Sequence, residues 1–309
     1  MKNALIFNPF ASKGASRYKA RDLLEALKGI GIKVDLLATA GDKHVDELAE
    51  QAALEGAERV IVCGGDGSIN EAVNGLVNAQ KKGVKDTALA FIPNGRGNDF
   101  LSAVGLNVDL DGIMQIIKAD HRVPADIGAA GDGTFERYFM NGSGFGIDSA
   151  VNYYAGESIL NGKLSYAYGV IMSVAKDLSQ QTATITIDDK TFDYDIVLFT
   201  AMNGRQEGGG FILAPNFSLT DGKLDICYLG GGLPAWRLIK LIPRLTTGDL
   251  DHPDIHTVQA ESVHVHLEPD KKGLISQVDG ETIILHGHDF YSKISPYKID
   301  LILPGKDSQ

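Results

Sequence analysis

With 309 residues, the chain is long enough for two domains of ordinary size, each with its own hydrophobic core. Hydrophobic residues make up 44% and charged residues 22% of the sequence, as is usual for a globular protein. The formal net charge of −11 argues against a nucleic-acid partner, because neutralising phosphates requires a basic surface. The same charge argues against simple electrostatic attachment to anionic lipids.

The chain is expected to be cytoplasmic. No segment resembles a signal peptide, because the apolar run after Lys2 ends at residue 7 and a polar loop follows. No stretch approaches the roughly 18 consecutive apolar residues that a membrane-spanning helix needs. The two cysteines, Cys63 and Cys227, are too few for a disulfide framework, and Cys63 is predicted to be a buried apolar residue.

The first third of the chain alternates strand and helix patterns. Strands are predicted at residues 3–7, 32–38, 59–63 and 87–92. The helices between them are predicted from a cap at Ser16 to Gly29, at residues 43–54, and from a capping box formed by Ser68 and Glu71. This order predicts a parallel sheet with helices on both faces, in a first domain that spans residues 1–126.

The pattern changes after residue 126. Alternating apolar residues on both sides of Asp188 and Asp189 predict a β-hairpin. Further strands are predicted within residues 211–229, 255–268, 274–278 and 282–285, and helices at roughly 163–178 and 234–246. Residues 127–289 are therefore predicted to form a mostly antiparallel β domain. A last strand at residues 298–303 fits either domain.

Three polar, glycine-rich loops follow strands of the predicted parallel sheet. They are NPFASKG at residues 8–14, GGDGSIN at 64–70 and PNGRGND at 93–99. In an open parallel sheet, ligands bind beyond the carboxyl ends of the strands, and glycines let backbone N–H groups approach phosphates. Asp66 among these glycines fits a carboxylate that reaches a phosphate-bound Mg²⁺. The sequence that starts with GGDGSIN at residue 64 matches neither the Walker loop, GxxxxGK[ST], nor the dinucleotide-binding fingerprint, GxGxxG. These two modes of nucleotide binding are therefore disfavoured.

These loops, in this order and spacing, resemble the diacylglycerol kinase catalytic-domain family, which includes bacterial lipid kinases and sphingosine kinases. The resemblance continues through GSGFGIDSAV at residues 142–151, GGGFILAPNFSLTDGKLDI at 208–226 and VDGE at 278–281. It implies an α/β nucleotide-binding domain like that of NAD kinases and phosphofructokinases, which share the GGDG core. It also implies a β-sandwich second domain, an ATP site in the cleft between the domains, and a C-terminal segment, 290–309, that returns to the first domain.

Carried over by position, the resemblance assigns ATP contacts to Thr39, Gly64, Gly65, Asp66, Gly67, Ser68, Ile69 and Asn70, with Asn8 supporting the same pocket. Ser68 replaces the usual Thr and keeps its hydroxyl. Arg96 stands where the family usually has Thr in its third loop. Its guanidinium could bind a phosphate bidentately, or it could obstruct the ordinary nucleotide pose.

Two further groups of polar residues lie in the second half. In isolation, the DGE of Asp279–Glu281 predicts a hairpin turn, but the resemblance makes Glu281 the proton acceptor of the catalytic site. We expect Asp279 to belong to the same acidic cluster and Asp66 to be the third catalytic carboxylate. Ser218, Asp221 and Lys223 match a family position for a structural Mg²⁺, held by one carboxylate and two main-chain carbonyls. The alternative there is an Asp-Gly turn without a metal.

The leading hypothesis is an ATP-dependent kinase that uses Mg²⁺ and phosphorylates a lipid hydroxyl, with diacylglycerol first among the acceptors. Phosphatidylglycerol and sphingoid bases remain open. A lipid substrate implies transient peripheral contact with a membrane surface, and a homodimer is left open. The alternatives are a kinase of a soluble acceptor such as NAD, favoured by GGDG, and a non-catalytic nucleotide-binding regulator, suggested by Arg96.

Overall fold

The computed structural model describes residues 2–9, 16–39, 44–95, 98–146, 181–208, 210–230, 232–269, 271 and 273–305. The chain divides into two compact units. The α/β unit comprises Met1–Asp126 and Pro296–Gln309, and the β-rich unit comprises Ile127–Ser295. The chain passes from one unit to the other within two strands, β5 (Arg122–Gly131) and β17 (Asp289–Ile302).

In the α/β unit, strands alternate with helices. The elements are β1 (Asn3–Phe7), α1 (Ala20–Gly29), β2 (Asp35–Ala38), α2 (Val45–Leu54), β3 (Arg59–Gly64), α3 (Asp66–Lys81), β4 (Ala88–Pro93), α4 (Asp99–Ala103) and α5 (Leu110–Ala119). The strand order is β2-β1-β3-β4, all parallel, and the end of β17 follows through the pair Leu301 and Leu89. The predicted parallel sheet is confirmed.

Strand β3 lies at the centre of this sheet and is apolar after Arg59. Val60, Ile61, Val62 and Cys63 are all buried, as expected for a parallel strand covered on both faces. Burial raises the pKa of the Cys63 thiol to about 12, so this side chain is a buried apolar group, as predicted.

The predicted caps of α1 and α3 are wrong. Helix α1 begins at Ala20, and the Ser16 hydroxyl donates to the carbonyl of Tyr18. Helix α3 begins at Asp66, because Gly65 adopts extended backbone and lets the helix start directly after β3. Ser68 therefore lies inside the first turn, and the Glu71 carboxylate accepts the backbone N–H of Val45 at 3.0 Å.

The β-rich unit contains most of the strands. Beyond β5 and β17, its elements are β6 (Glu136–Phe139), β7 (Gly142–Gly146), β8 (Gln181–Ile187), β9 (Lys190–Met202), β10 (Gln206–Glu207), β11 (Phe211–Ile212), β12 (Leu224–Gly230), α6 (Ala235–Thr247), β13 (His256–Ala260), β14 (Ser262–His266), β15 (Leu274–Val278) and β16 (Glu281–Gly287). The predicted helix at residues 163–178 lies outside the described residues.

Antiparallel pairing dominates this unit, as predicted. The path β16-β15-β7-β9-β8-β14-β17 is hydrogen-bonded throughout, and β12 joins β9 to β13. The hairpin around Asp188 and Asp189 is confirmed by the pair Ile187 and Lys190. The interior holds stacked aromatic rings, with the centroids of Phe145 and Phe290 5.4 Å apart.

Helix α6 packs on a second apolar cluster of the β-rich unit. Leu241 and Leu245 are buried there with Leu198, Cys227 and Leu229. No described helix is both long enough and apolar enough to cross a membrane.

Candidate nucleotide and catalytic sites

The carboxyl ends of the parallel strands in the α/β unit lie at one edge of the sheet. Phe7, the last residue of β1, pairs with Ala38 of β2 and with Cys63 of β3. Gly64, at the end of β3, pairs with Pro93 at the end of β4. The loops that follow these strands therefore start side by side, which is where open parallel sheets bind ligands.

Three of the predicted site residues are joined by hydrogen bonds at this edge. The Thr39 hydroxyl donates to Oδ1 of Asn8 at 3.3 Å, and Nδ2 of Asn8 donates to Oγ of Ser68 at 3.2 Å. These two hydrogen bonds thus connect the ends of β1 and β2 with the first turn of α3. Each of the three side chains is held by another, and the Ser68 hydroxyl takes the place of the hydroxyl of the usual Thr.

Backbone contact between two glycines brings the second and third loops together. A Cβ atom on Gly95 would lie 2.5 Å from Cα of Gly65, and a Cβ on Gly65 would lie 2.9 Å from Cα of Gly95. Contacts below 3.0 Å are not tolerated, so neither position accepts a larger side chain without a shift. Both glycines are therefore required by the close approach of the two chain segments.

Asparagine side chains hold the third loop in place. The carbonyl Oδ1 of Asn98 accepts the N–H of Gly95 at 3.2 Å, and its Nδ2 donates to the Gly95 carbonyl at 3.0 Å. Oδ1 of Asn94 accepts the N–H of Arg17 at 2.8 Å, and its Nδ2 donates to Oγ of Ser16 at 2.9 Å. The segment between the first loop and α1 is therefore tied to the start of the third loop.

Asp66 is the first residue of α3, where the positive end of the helix dipole favours a carboxylate. Its Oδ2 accepts the backbone N–H of Asp99 at 3.4 Å, so two aspartates from different loops lie at this edge. Carboxylate oxygens in such a place are suitable ligands for Mg²⁺. Asp66 is half-buried rather than fully exposed.

Four of the predicted nucleotide contacts have buried side chains: Thr39, Ser68, Ile69 and Asn70. Ile69 is buried in the core, so its side chain is not available to a nucleotide. Asn70 is also buried, and its carbonyl accepts Nδ2 of Asn74 at 2.8 Å. Gly67 lies in the first turn of α3, and Arg96 lies outside the described residues, so its two alternatives stay open.

In the β-rich unit, the predicted DGE forms the tight turn between β15 and β16. Asp279 and Gly280 both have positive φ, 48° and 84°, while Val278 pairs with Glu281. This is the two-residue hairpin that Asp-Gly favours. The hairpin turn and a catalytic role are compatible, because the turn leaves Glu281 at the start of β16.

The Asp279 carboxylate is enclosed by backbone donors. It accepts the N–H groups of Met140, Asn141 and Gly142 at 3.1, 2.9 and 3.0 Å. The N–H of Asp279 in turn donates to the Gly142 carbonyl at 2.8 Å. Asp279 therefore anchors the segment between β6 and β7 to the DGE turn, which is a positioning role.

Glu281 is partly exposed and pairs with a cation. Nη2 of Arg137 lies 3.3 Å from Oε2 of Glu281. A guanidinium at this distance fixes the orientation of the carboxylate. The oxygens of an oriented carboxylate can accept a hydrogen bond from a hydroxyl group.

The predicted metal residues lie in the loop before β12. Oδ1 of Asp221 accepts the N–H of Lys223 at 3.2 Å, and Oγ of Ser218 accepts the N–H of Thr220 at 3.3 Å. Nε2 of Gln259 donates to both Asp221 and Asp225, at 3.4 and 3.1 Å. Burial, and to a lesser extent the Asp221 charge, raise the pKa of Asp225 above its ordinary value. The local excess of carboxylate oxygens fits a hard cation.

A side-chain metal cluster is not found: among the described residues, no three His, Cys, Asp or Glu side chains are arranged to hold an ion. The ligand set of one carboxylate and two main-chain carbonyls stays a prediction.

Four residues of these sites were missed by the sequence analysis. Asn94, Asn98 and Asp99 belong to the PNGRGND run, in which only Arg96 was singled out, and their position in that motif was an available signal. Arg137 was missed because its partner Glu281 is 144 residues away along the chain. Nothing in the local sequence indicates that pair.

The β-rich unit also contains a half-open cavity of about 800 Å³. Apolar residues such as Leu213, Ile226 and Val258 line it together with the carboxylates of Asp225, Asp249 and Asp251. The described residues that line it include no Lys or Arg.

Comparisons with known proteins agree with this geometry. Residues 2–130 match the family model described as "Diacylglycerol kinase catalytic domain", and residues 143–303 match "YegS C-terminal NAD kinase beta sandwich-like domain". A diacylglycerol kinase of Bacillus subtilis (strain 168) is 31% identical over 238 residues, 74% of this chain and 74% of that protein.

Solved structures show the same fold. The crystal structure of a diacylglycerol kinase from Bacillus anthracis str. Sterne superposes with a TM-score of 0.72 at 21% identity, covering 100% of this chain and 98% of that chain. An NAD kinase from Archaeoglobus fulgidus in complex with ATP gives a TM-score of 0.53 at 11% identity, covering 99% and 95%. At these low identities, the superpositions show similarity of fold alone. They confirm the predicted NAD kinase-like fold.

Proposed function

Because this chain belongs to the diacylglycerol kinase catalytic-domain family and has a lipid-kinase-type function, we propose that it transfers the γ-phosphoryl group of ATP to the hydroxyl of diacylglycerol, giving phosphatidic acid. The observation that carries this proposal is the joining of three loops at the carboxyl edge of the parallel sheet. Thr39, Asn8 and Ser68 connect two of its strands with α3, and Gly65 meets Gly95.

The α/β unit is the proposed ATP-binding part. Backbone N–H groups of the Gly64–Gly65 segment and the N-terminus of α3 offer donors and a positive dipole end for phosphate oxygens. The close contact of Gly65 with Gly95 holds the third loop beside this helix N-terminus. The hydroxyl of Ser68 is oriented by Asn8.

Asp66 is the proposed Mg²⁺ ligand, with Asp99 as its neighbour at the same edge. Mg²⁺, when bound with ATP, neutralises the charge that develops on the transferred phosphoryl group. The residues present fit this ion, since Asp66 offers carboxylate oxygens at the N-terminus of α3. Asp66 itself orients the ion and leaves the proton transfer to another group.

Glu281 is the proposed proton acceptor for the lipid hydroxyl. Arg137 orients its carboxylate, and carboxylate oxygens accept hydrogen bonds from alcohols. Asp279 supports it by fixing the turn in which Glu281 begins β16. A binding module that does no chemistry has no use for this arrangement.

The test is phosphorylation from radiolabelled ATP in mixed micelles that contain, in separate reactions, diacylglycerol, phosphatidylglycerol or a sphingoid base, with NAD as the soluble acceptor. Labelled phosphatidic acid as the main product supports the proposal. A different labelled lipid keeps the lipid kinase and replaces the acceptor. Labelled NADP, or ATP binding without any product, contradicts the proposal.

A further inference from the structure

Helix α6 carries apolar residues on two opposite sides. Leu241 and Leu245 face the interior of the β-rich unit and are 3% and 7% exposed. Trp236 and Ile239 are 59% and 54% exposed. At 100° per residue, Trp236, Ile239 and Pro243 share one side of the helix, opposite to Leu241 and Leu245.

This outer side differs from the ordinary surface of a globular protein. A surface helix normally turns polar residues to the solvent, whereas α6 exposes its bulkiest side chain there. Trp236 is the single tryptophan of the chain, and it is the most exposed of the large hydrophobic side chains that the described residues expose. Large apolar side chains grouped on one surface indicate a binding partner.

The charge of α6 also departs from that of the whole chain. Its sequence, AWRLIKLIPRLTT, contains three basic residues and no acidic one, in a protein with a net charge of −11. Arg237 and Arg244 are held by Asp254 and Asp249, at 2.6 and 2.7 Å. Lys240 lies on the outer side, with Nζ 4.9 Å from the centroid of the Trp236 ring.

We infer that the outer side of α6, formed by Trp236, Ile239, Lys240 and Pro243, docks on the surface of an anionic phospholipid bilayer. This inference rests on the proposed function, because a kinase of diacylglycerol must reach an acceptor that stays in the membrane. Tryptophan favours the boundary between headgroups and acyl chains, and a lysine beside it reaches the anionic headgroups. The acidic protein as a whole is not attracted to such a surface, so the attachment depends on apolar insertion assisted by one local cation.

A single tryptophan makes the test direct. Vesicles of phosphatidylcholine and phosphatidylglycerol at a 7:3 molar ratio are added to the full chain, and the emission of Trp236 is recorded. Insertion shifts the emission to shorter wavelength, and lipids brominated near the headgroup end of the acyl chain quench it. Co-sedimentation with the vesicles without any change in emission means that another surface docks, and it overturns the inference.

Variants of α6 then test which of its residues contribute to vesicle binding. Trp236→Ala combined with Ile239→Ala should weaken vesicle co-sedimentation by at least about tenfold, because binding scales with the buried apolar area. Lys240→Glu should weaken it by roughly tenfold on the anionic vesicles, and less on phosphatidylcholine alone. The control for the double variant is Leu54→Ala with Val108→Ala, which truncates two other exposed apolar residues. The control for Lys240→Glu is Lys190→Glu, which makes the same charge change elsewhere in the β-rich unit. An equal loss of vesicle binding in the control variants contradicts the inference.

Two readouts separate this inference from the proposed function. Normal vesicle binding by the α6 variants, together with lipid phosphorylation by the unchanged chain, overturns the docking surface and leaves the kinase. α6-dependent vesicle binding without phosphorylation of any lipid keeps the docking surface and contradicts the kinase. Analytical sedimentation without lipid tests whether a second copy of the chain binds this surface instead. If Trp236→Ala combined with Ile239→Ala changes the oligomeric state but not vesicle binding, the outer side of α6 is an interface between two copies of the chain.

Discussion

The backbone N–H of Asn141 donates a 2.9 Å hydrogen bond to the carboxylate of Asp279, whose other two backbone donors are the neighbours of Asn141. One carboxylate thus fixes three consecutive peptide groups. The same segment is held from its other side, because Nδ2 of Asn203 donates to the Met140 carbonyl at 2.8 Å. The DGE turn is therefore part of a polar network that positions Glu281.

We expect Asp279→Asn to destabilise the protein by about 1–3 kcal/mol, because the new amide group brings a donor to a place that already holds backbone donors. Chemical denaturation measures the change in the free energy of unfolding. Asp189→Asn, an exposed substitution in another hairpin turn, is the control and should leave stability within about 0.5 kcal/mol. Equal stability of the two variants would show that the three hydrogen bonds are not needed.

Replacing Glu281 with Gln should slow phosphoryl transfer by roughly 10²–10⁴-fold, while the affinity for ATP changes little. The amide keeps the shape of the side chain but cannot take up the proton of the acceptor hydroxyl. Steady-state kinetics with saturating lipid separate kcat from the KM for ATP. Glu268→Gln, an exposed change in the same unit, is the control. If Glu281→Gln has the same kcat as the unchanged protein, Glu281 is not the proton acceptor and DGE is only a hairpin turn.

Substitution of Asp66 by Ala should abolish turnover and leave the fold intact, because the proposed role of Asp66 is to orient Mg²⁺ on the phosphates. The lost helix-dipole interaction is worth about 0.3–1 kcal/mol and does not unfold the protein. Turnover is measured over a Mg²⁺ titration, and Asp111→Ala in the first turn of α5 is the matched control. Near-normal kcat at saturating Mg²⁺ would remove Asp66 from the catalytic site.

A methyl group at Gly95 should weaken ATP binding by about tenfold or more, which corresponds to 1.4 kcal/mol. The added Cβ would lie 2.5 Å from Cα of Gly65 and 2.6 Å from Oδ1 of Asn98, so the two loops must separate. Calorimetric titration with ATP measures the effect of Gly95→Ala. At Gly29, the last residue of α1, a Cβ meets nothing within 4 Å, so Gly29→Ala should bind ATP normally.

If Mg²⁺ binds at Ser218, Asp221 and Lys223, it is a structural ion, and Asp221→Asn should reduce the stabilisation that added Mg²⁺ gives. Binding to the native state raises stability by mass action, so a weaker site gives a smaller shift in Tm. Thermal unfolding with and without Mg²⁺ measures it, in the absence of nucleotide. The same Mg²⁺ response in both proteins would favour an Asp-Gly turn without a metal.

Much of the α/β unit could be predicted because its signals are local. The buried runs of β1, β3 and β4, separated by helix patterns, are sufficient to indicate a parallel sheet, and the sheet dictates that its loops meet at one edge. The cap of α3 is predicted wrongly because Gly65 allows the helix to begin immediately after β3, so that Ser68 lies in the first turn and contacts Asn8.

The site contacts in the β-rich unit could not be predicted, since they join residues far apart in the chain. Arg137 and Glu281 are 144 positions apart, and Asp279 binds amides 137 to 139 positions away. Backbone N–H groups carry no sequence signal, so a carboxylate that binds them looks like any other turn residue. Motif resemblance identified the DGE, but only coordinates separate the positioning Asp279 from the partly exposed Glu281.

The place of Leu301 beside Leu89 has a consequence for how the protein is made. The β-rich unit is one continuous segment, whereas the α/β unit is assembled from both ends of the chain. Ile299, Leu301 and Ile302 are fully buried, so the parallel sheet is completed by a segment that is synthesised after the whole β-rich unit. Until this segment joins the sheet, β4 is an edge strand, and such edges invite pairing with other chains. A protein truncated before residue 299 would keep every proposed catalytic residue and have an open sheet edge.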